Sequence, residues 1–148
     1  SSEQIRIVRA AVSDMAGSME MLGSGVFTAG YFRVAKGRMR SDLTQMPALT
    51  IDDLARQFGA PSHIKIDVEG HEAAALRGAR STFATGSPLL FLEFHTEMVA
   101  ADGGNPAAAL DELASFGYNA FSLDGRQMTA AEILAKPIVR VVARRAAS

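Results

Sequence analysis

The chain has 148 residues, enough for a single domain with its own core, and we treat residues 1–148 as one domain. It contains no cysteine, which excludes disulfides and thiolate metal sites and fits a reducing compartment, so we expect a cytoplasmic protein. The net charge of -1 gives no indication of a nucleic-acid partner or of an acidic membrane surface. No apolar run approaches the roughly 20 residues that a membrane span requires.

The first predicted element is a strand over residues 5–12, which ends at Ser13 and Asp14, with Gly17 as a turn signal. Asp14 lies just past the strand end, where its carboxylate could accept a hydrogen bond from a ligand. A turn aspartate with no ligand is equally compatible with this position.

Residues 19–47 have a poor pattern that several glycines interrupt, and only a short strand near Tyr31 to Val34 is predicted there. A basic cluster overlaps and follows it, at Arg33, Lys36, Arg38 and Arg40. This cluster fits a mobile flap beside a site or a solvated hairpin, and the hairpin is favoured. If a substrate carries an anionic group, these arginines are the candidates to bind it.

A capping box at Thr50 and Asp53 predicts a short helix that continues to Phe58 and ends at Gly59. The central stretch of the chain follows, and residues 64–68 alternate apolar and polar side chains as a buried strand does. Gly70 allows a sharp turn, after which residues 71–83 are predicted to be helical.

Asp67 and Glu69 lie two residues apart, so both are predicted on one face at the C-terminal end of this strand. Open α/β sheets bind ligands at that end. The alternative is that these two acids only cap the following helix.

Residues 89–92 are continuously apolar and predict a strand buried on both faces, in a parallel crossover with the preceding strand. The remaining predicted elements are a helix opened by Asn105 and Pro106, a strand over 118–123, a helix opened by a capping box at Thr129 and Glu132, and a last strand over 138–143.

Glu93 and His95 directly follow the buried apolar strand and share a face. Because neighbouring parallel strands lie about 4.8 Å apart, we expect these two residues close to Asp67 and Glu69. Such a cluster suits general-base catalysis by His95 or by a carboxylate, and a bound cation is the competing use. The spacing matches no specific metal motif, so no metal site is predicted, and no phosphate-binding loop or serine nucleophile motif is present.

The stretch from Ile64 to Glu72, with Leu76 to Ala79 and Pro88 to Glu93 after it, resembles the FkbM-type methyltransferase family. The earlier segments Ala11 to Gly17 and Thr50 to Leu54 also match its pattern. The resemblance implies an α/β Rossmann-like class I methyltransferase sheet, mostly parallel with an antiparallel C-terminal strand. It also implies an S-adenosylmethionine cofactor and methyl transfer to a hydroxyl of a small molecule, sugar or lipid-linked acceptor.

Carried over by position, the resemblance places Ser13 and Asp14 near the adenine of the cofactor. Asp67, Glu69 and His71 would line the cofactor and acceptor side, and Glu93 and His95 would lie at the next strand end. Asp67, Glu69, Glu93 and His95 are therefore the catalytic candidates, and Ser13, Asp14, Asp67 and His71 the cofactor-binding candidates. Nothing in the pattern excludes a homo-oligomer.

The family's first strand, its glycine-rich cofactor loop and its acidic second strand have no counterpart before residue 5. In the family's strand order 3-2-1-4-5-7-6, those strands would lie between the strand at Ile5 and the strand at Ile64. We therefore expect a C-terminal portion of a methyltransferase domain that binds cofactor weakly or not at all by itself. Two alternatives remain: a degenerate half-domain that binds a partner chain, and a metal-assisted hydrolase that uses the oxygen cluster.

Overall fold

The computed structural model describes residues 5–22, 33–34, 43–101 and 103–146. Strands and helices alternate along most of this length. In chain order the elements are β1 (Ala11–Val12), β2 (Gly17–Leu22), β3 (Arg33–Val34), β4 (Leu43–Leu49), α1 (Ile51–Phe58), β5 (His63–Ile66), α2 (Glu72–Arg77), α3 (Arg80–Thr85), β6 (Leu89–Phe94), α4 (Thr96–Ala101), α5 (Pro106–Ser115), β7 (Tyr118–Phe121), β8 (Gln127–Met128), α6 (Ala130–Leu134) and β9 (Val139–Arg145).

The strands form two sheets, a four-stranded one in the order β1-β4-β2-β3 and a five-stranded one in the order β5-β6-β9-β7-β8. In the larger sheet only β5 and β6 pair in parallel, while β6 with β9, β9 with β7, and β7 with β8 pair antiparallel. The mostly parallel sheet expected from the resemblance is therefore not confirmed. The mixed α/β architecture is compatible with a methyltransferase-like fold, since the antiparallel last strand β9 is inserted between β6 and β7.

The predicted parallel crossover is confirmed, because β5 and β6 pair in register from His63 with Leu89 to Ile66 with Leu92. The segment between these strands is not one helix over residues 71–83, as predicted, but α2 and α3, which Gly78 and Ala79 separate. The break has a cause outside the segment. Both oxygens of Asp52 accept hydrogen bonds from backbone N–H groups, at 3.0 Å from Ser81 and 2.8 Å from Thr82, and so start α3 separately.

The core lies between the larger sheet and helices α2, α3 and α5. Its largest fully buried side chains include Leu76, Phe83, Leu90, Leu92 and Phe94. Leu90, Leu92 and Phe94 share one buried face of β6, whereas Phe91 on the other face is 39% exposed. The prediction of a strand buried on both faces is therefore wrong.

The strand predicted over residues 5–12 is limited to Ala11 and Val12. Ile5 and Ile7 are 80% and 91% exposed, so the alternating pattern has no neighbouring strand to cover it. Among the described residues, β1 pairs only with β4, and β5 has β6 as its only neighbour.

A cleft of about 660 Å³ lies beside the unpaired edge of β5. Its walls come from the segment before β1, from α1 and from β5, with Val12, Ile51, Leu54, Ile64 and Ile66 among its apolar lining residues.

No helix among the described residues is both long and apolar enough to cross a membrane. Of the predicted hairpin at residues 31–40, the described part is β3, which pairs antiparallel with β2. Lys36, Arg38 and Arg40 lie outside the described residues, as do the side-chain contacts of Arg33.

Candidate active site

The ends of β5 and β6 bring three of the predicted site residues together. Asp67 directly follows β5, Glu93 is in β6, and His95 directly follows β6. A carboxylate oxygen of Asp67, a carboxylate oxygen of Glu93 and a ring nitrogen of His95 all lie within 4.8 Å of one another. This proximity follows from the parallel pairing of the two strands, which places their C-terminal ends at the same edge of the sheet.

Asp67 and Glu69 reach this edge by a different route from the one predicted. β5 ends at Ile66, so neither residue is in the strand, and the argument that they share a strand face is wrong. Asp67 precedes a tight turn from Val68 to His71 that contains Glu69, in which Glu69 has a φ of 51° and Gly70 a φ of 99°. A non-glycine residue in this left-handed region is strained by about 1–3 kcal/mol, and surrounding contacts must hold it there.

The turn places a Glu69 carboxylate oxygen, Oε2, 3.6 Å from Nε2 of His95. The capping alternative finds no support, because α2 has His71 at its N-cap position with no capping hydrogen bond from a side chain. Asp67 instead accepts a hydrogen bond from Lys65 Nζ at 2.8 Å.

His95 is the centre of this cluster and its side chain is only 3% exposed. Its Nδ1 lies 2.7 Å from Oε1 of Glu72, a carboxylate with no exposed surface. Its Nε2 faces Glu69 at 3.6 Å and Glu93 at 3.9 Å. One ring nitrogen is therefore anchored inside the protein, while the other is directed at partly exposed carboxylates.

Two cationic side chains reduce the negative charge of the cluster. Arg140 binds Glu93 with both arms of its guanidinium, at 2.7 Å and 3.0 Å, and this pairing raises the pKa of Arg140. Lys65 binds Asp67. Asp67, Glu93 and His95 have the donor atoms for a divalent cation, but a cation would have to compete with Arg140 and Lys65 for both carboxylates.

A second group contains the other predicted cofactor residues. Ser13 Oγ lies 3.0 Å from Nε2 of His71 and donates to Oδ1 of Asp14 at 3.2 Å. Arg77 donates to Oδ2 of Asp14 at 2.9 and 3.1 Å. Partial burial opposes the ionisation of Asp14, but the hydrogen bonds and charge of Arg77 outweigh it and lower the pKa of that carboxyl.

This second group is held together by a close backbone approach. Gly78, at the end of α2, lies so near β1 that a Cβ on it would be 2.1 Å from the carbonyl oxygen of Ser13. The absence of a side chain at Gly78 is what allows this close packing. The contact is with the end of β1 and with Thr50, rather than with the larger sheet.

Sequence reasoning missed Glu72, Arg77 and Arg140 as contributors to the two groups. Glu72 was part of the stretch that carries the resemblance, yet its acidic side chain was assigned no role. A signal was available, because Glu72 is followed by Ala73, Ala74, Ala75 and Leu76, and a helix this apolar is buried all round. Arg77 and Arg140 gave no signal, since their partners lie 63 and 47 residues away in the chain.

Comparison with known protein families identifies the family of this chain. The methyltransferase FkbM domain matches residues 2–120, which include the predicted site residues of both groups but not Arg140. The chain belongs to the FkbM methyltransferase family. No curated protein and no solved structure matches it.

Membership of the FkbM family indicates a methyltransferase, and methyltransferases of this kind generally use S-adenosylmethionine. The second residue group is chemically suited to hold part of that cofactor. The side chain of Asp14 is 34% exposed, although its carboxylate accepts hydrogen bonds from Ser13 and Arg77. Part of this carboxylate is therefore accessible to an amine or hydroxyl of a ligand.

Proposed function

We propose that this FkbM-family chain contributes the acceptor side of an S-adenosylmethionine-dependent O-methyltransferase whose acceptor is a hydroxyl of a small molecule, sugar or lipid-linked compound. The observation that carries the proposal is the placement of His95. Its Nε2 is directed at the C-terminal edge of parallel strands β5 and β6, where open α/β sheets bind ligands.

An acceptor hydroxyl must lose its proton as its oxygen attacks a methyl carbon. In the proposed reaction Nε2 of His95 takes that proton, because imidazole is a base near neutral pH and Nε2 is the ring nitrogen that faces the cluster. Glu69 and Glu93 flank the same nitrogen. Their carboxylates would accept hydrogen bonds from other hydroxyl groups of the substrate that is methylated.

Ser13, Asp14, Asp67 and His71 would hold the cofactor, which supplies an electrophilic methyl group when bound. Asp14 is kept ionised by Arg77 and is suited to accept from an amino group. Holding both reactants in place would supply much of the acceleration, because fixed orientation replaces the improbable encounter of two free molecules.

The test is methyl transfer from S-adenosylmethionine to a panel of monosaccharides and hydroxylated lipids, followed as release of S-adenosylhomocysteine. We expect His95→Ala and Glu93→Gln to lower kcat by at least about a hundredfold and about tenfold, respectively. His63→Ala is the matched control, since His63 is at the opposite end of β5, where it stacks on Phe91. Equal turnover in wild type and His95→Ala would reject the base assignment.

The assay should use this chain and also any longer protein that contains it. By itself the chain is expected to bind S-adenosylmethionine weakly or not at all, because it lacks a recognisable glycine-rich cofactor loop. Calorimetric titration that gives a micromolar Kd for the 148-residue chain would contradict this expectation.

A second candidate function is a non-catalytic half-domain that binds a partner chain. One edge of β5 has no strand partner among the described residues, and an apolar cleft of about 660 Å³ lies beside it. Both features favour this candidate, since such an edge can accept a further strand. Methyl transfer that is lost in His95→Ala would exclude it as the sole function.

A further inference from the structure

A carboxylate without solvent contact lies directly behind the proposed base. Glu72 begins α2 and its side chain has no exposed surface. Burying an acidic side chain is costly, so proteins tolerate it where hydrogen bonds or a charge partner compensate. Only Oε1 of Glu72 has such partners among the described residues, since Oε2 is buried without a hydrogen bond.

The contacts of Oε1 determine which nitrogen of His95 carries a hydrogen. The backbone N–H of Gly70 already donates to Oε1 at 3.1 Å, so this oxygen is a hydrogen-bond acceptor. An ionised Glu72 can only accept, so His95 Nδ1, at 2.7 Å from the same oxygen, is then the donor. In the neutral ring Nε2 then has a free lone pair, which faces Glu69 and Glu93.

The turn before α2 supports the same arrangement. Gly70 has a φ of 99°, which suits glycine, and a Cβ on it would lie 2.8 Å from Cβ of Met98 in α4. Glu69 is held in the strained left-handed region. This turn aims the N–H of Gly70 at Glu72 and at the same time places Glu69 beside Nε2 of His95.

We infer that Glu72 is a positioning residue for proton transfer, which holds His95 with its hydrogen on Nδ1 and stabilises the imidazolium formed at Nε2. This inference rests on the proposed function of His95 as the base. In the step the O–H bond of the acceptor breaks and an N–H bond forms at Nε2. The proton leaves to solvent when the product departs.

The first test reads the tautomer directly and requires no substrate. In the 148-residue chain labelled with ¹⁵N at histidine, neutral His95 should show a protonated Nδ1 and an unprotonated Nε2. Glu72→Met keeps a side chain of nearly the same length but removes the carboxylate that accepts the hydrogen bond from Nδ1. The His95 ring should then change to the tautomer with its hydrogen on Nε2. Glu97→Gln is the control, because Glu97 is exposed and lies two residues from His95.

The second test separates positioning from structural support. With a methyl-accepting substrate identified in the activity assay, Glu72→Met should lower kcat at least about tenfold with KM nearly unchanged. Glu72→Gln keeps an oxygen that can accept the hydrogen bond from His95, so it should recover part of the lost kcat. If His95→Ala leaves turnover intact, the proposed function fails. If His95→Ala abolishes turnover but Glu72→Met leaves kcat unchanged, only the role of Glu72 fails.

The inference stays testable if neither Glu72 variant folds. A wild-type spectrum in which neutral His95 has its hydrogen on Nε2 would overturn it without any substitution.

Discussion

The contact between Gly78 and Ser13 makes a sharp prediction about stability. Gly78→Ala adds a methyl group whose carbon would lie 2.1 Å from the carbonyl oxygen of Ser13 and 3.3 Å from Cβ of Thr50. Even close carbon–oxygen contacts in proteins are about 3.3–3.6 Å, so the two segments must separate by more than about 1 Å. The strain falls on backbone atoms, because Ser13 N–H donates to Leu49 O and Gly78 O accepts from Asp52 N–H.

The expected cost is about 3 kcal/mol, at the upper end of the range for overpacking, since no flexible side chain can move aside. For a chain of this length that corresponds to a fall in Tm of roughly 6–12 °C. The assay is urea unfolding followed by circular dichroism, with a thermal melt of the same samples. Because Ser13 belongs to the proposed cofactor group, the variant should also weaken S-adenosylmethionine binding in any form of the protein that binds it.

Gly103→Ala is the informative comparison. Gly103 has a φ of 74° with no heavy atom within 4 Å of a built Cβ, so alanine there meets backbone strain without a clash, at about 1 kcal/mol. Gly78 has a φ of -73°, so alanine there meets a clash without backbone strain. If Gly78→Ala is no more destabilising than Gly103→Ala, the close approach of α2 to β1 is wrong.

Three further outcomes are expected. Thr50→Ala removes the hydroxyl that accepts from Asp53 N–H, which is one of the two hydrogen bonds in the capping box of α1. It should lower the free energy of unfolding, measured in urea, by about 1 kcal/mol. The pKa values of Asp14 and Asp52 are lowered in the folded state, so their contribution is present above the unfolded pKa near 3.8 and is lost as pH falls through the folded pKa. Urea midpoints between pH 5 and pH 2 should therefore fall with pH, and Asp52→Asn should make that fall shallower; an unchanged slope would contradict the assignment. While Arg140 binds Glu93, Mn²⁺ should bind at Asp67, Glu93 and His95 with a Kd no lower than about 10⁻³ M. Arg140→Ala should lower this Kd in a paramagnetic NMR titration. Tight Mn²⁺ binding by the wild type would show that the arginine does not keep the cation out.

Local sequence signals predicted the starts of α1, α5 and α6 correctly, but not those of α3 and α4. The capping boxes at Thr50 and Thr129 and the cap at Asn105 are all present, because each depends on atoms within three residues of one another. The strand over residues 5–12 failed for the opposite reason. Its alternation suits a pleated edge, but a strand requires a neighbour, and the described chain supplies one only at Ala11 and Val12.

The same distinction applies to the site. Sequence order placed Asp67, Glu93 and His95 at the ends of two strands that a crossover makes parallel, and the structure brings them together. It did not indicate that Asp67 and Glu69 leave the strand, because the left-handed turn at Glu69 depends on contacts with α4 and with Glu72.

The amino-acid sequence alone determined the family through its motifs. It also determined the crossover from β5 to β6 and the caps of α1, α5 and α6, since these follow from short-range hydrogen bonding and from the pattern of apolar side chains. Only the tertiary structure decided that Glu72 is buried against His95, that Arg77 and Arg140 neutralise acids far along the chain, and that Gly78 touches Ser13. Those contacts join residues 23 to 65 positions apart, and their energies depend on burial and distance, which exist only once the chain has folded.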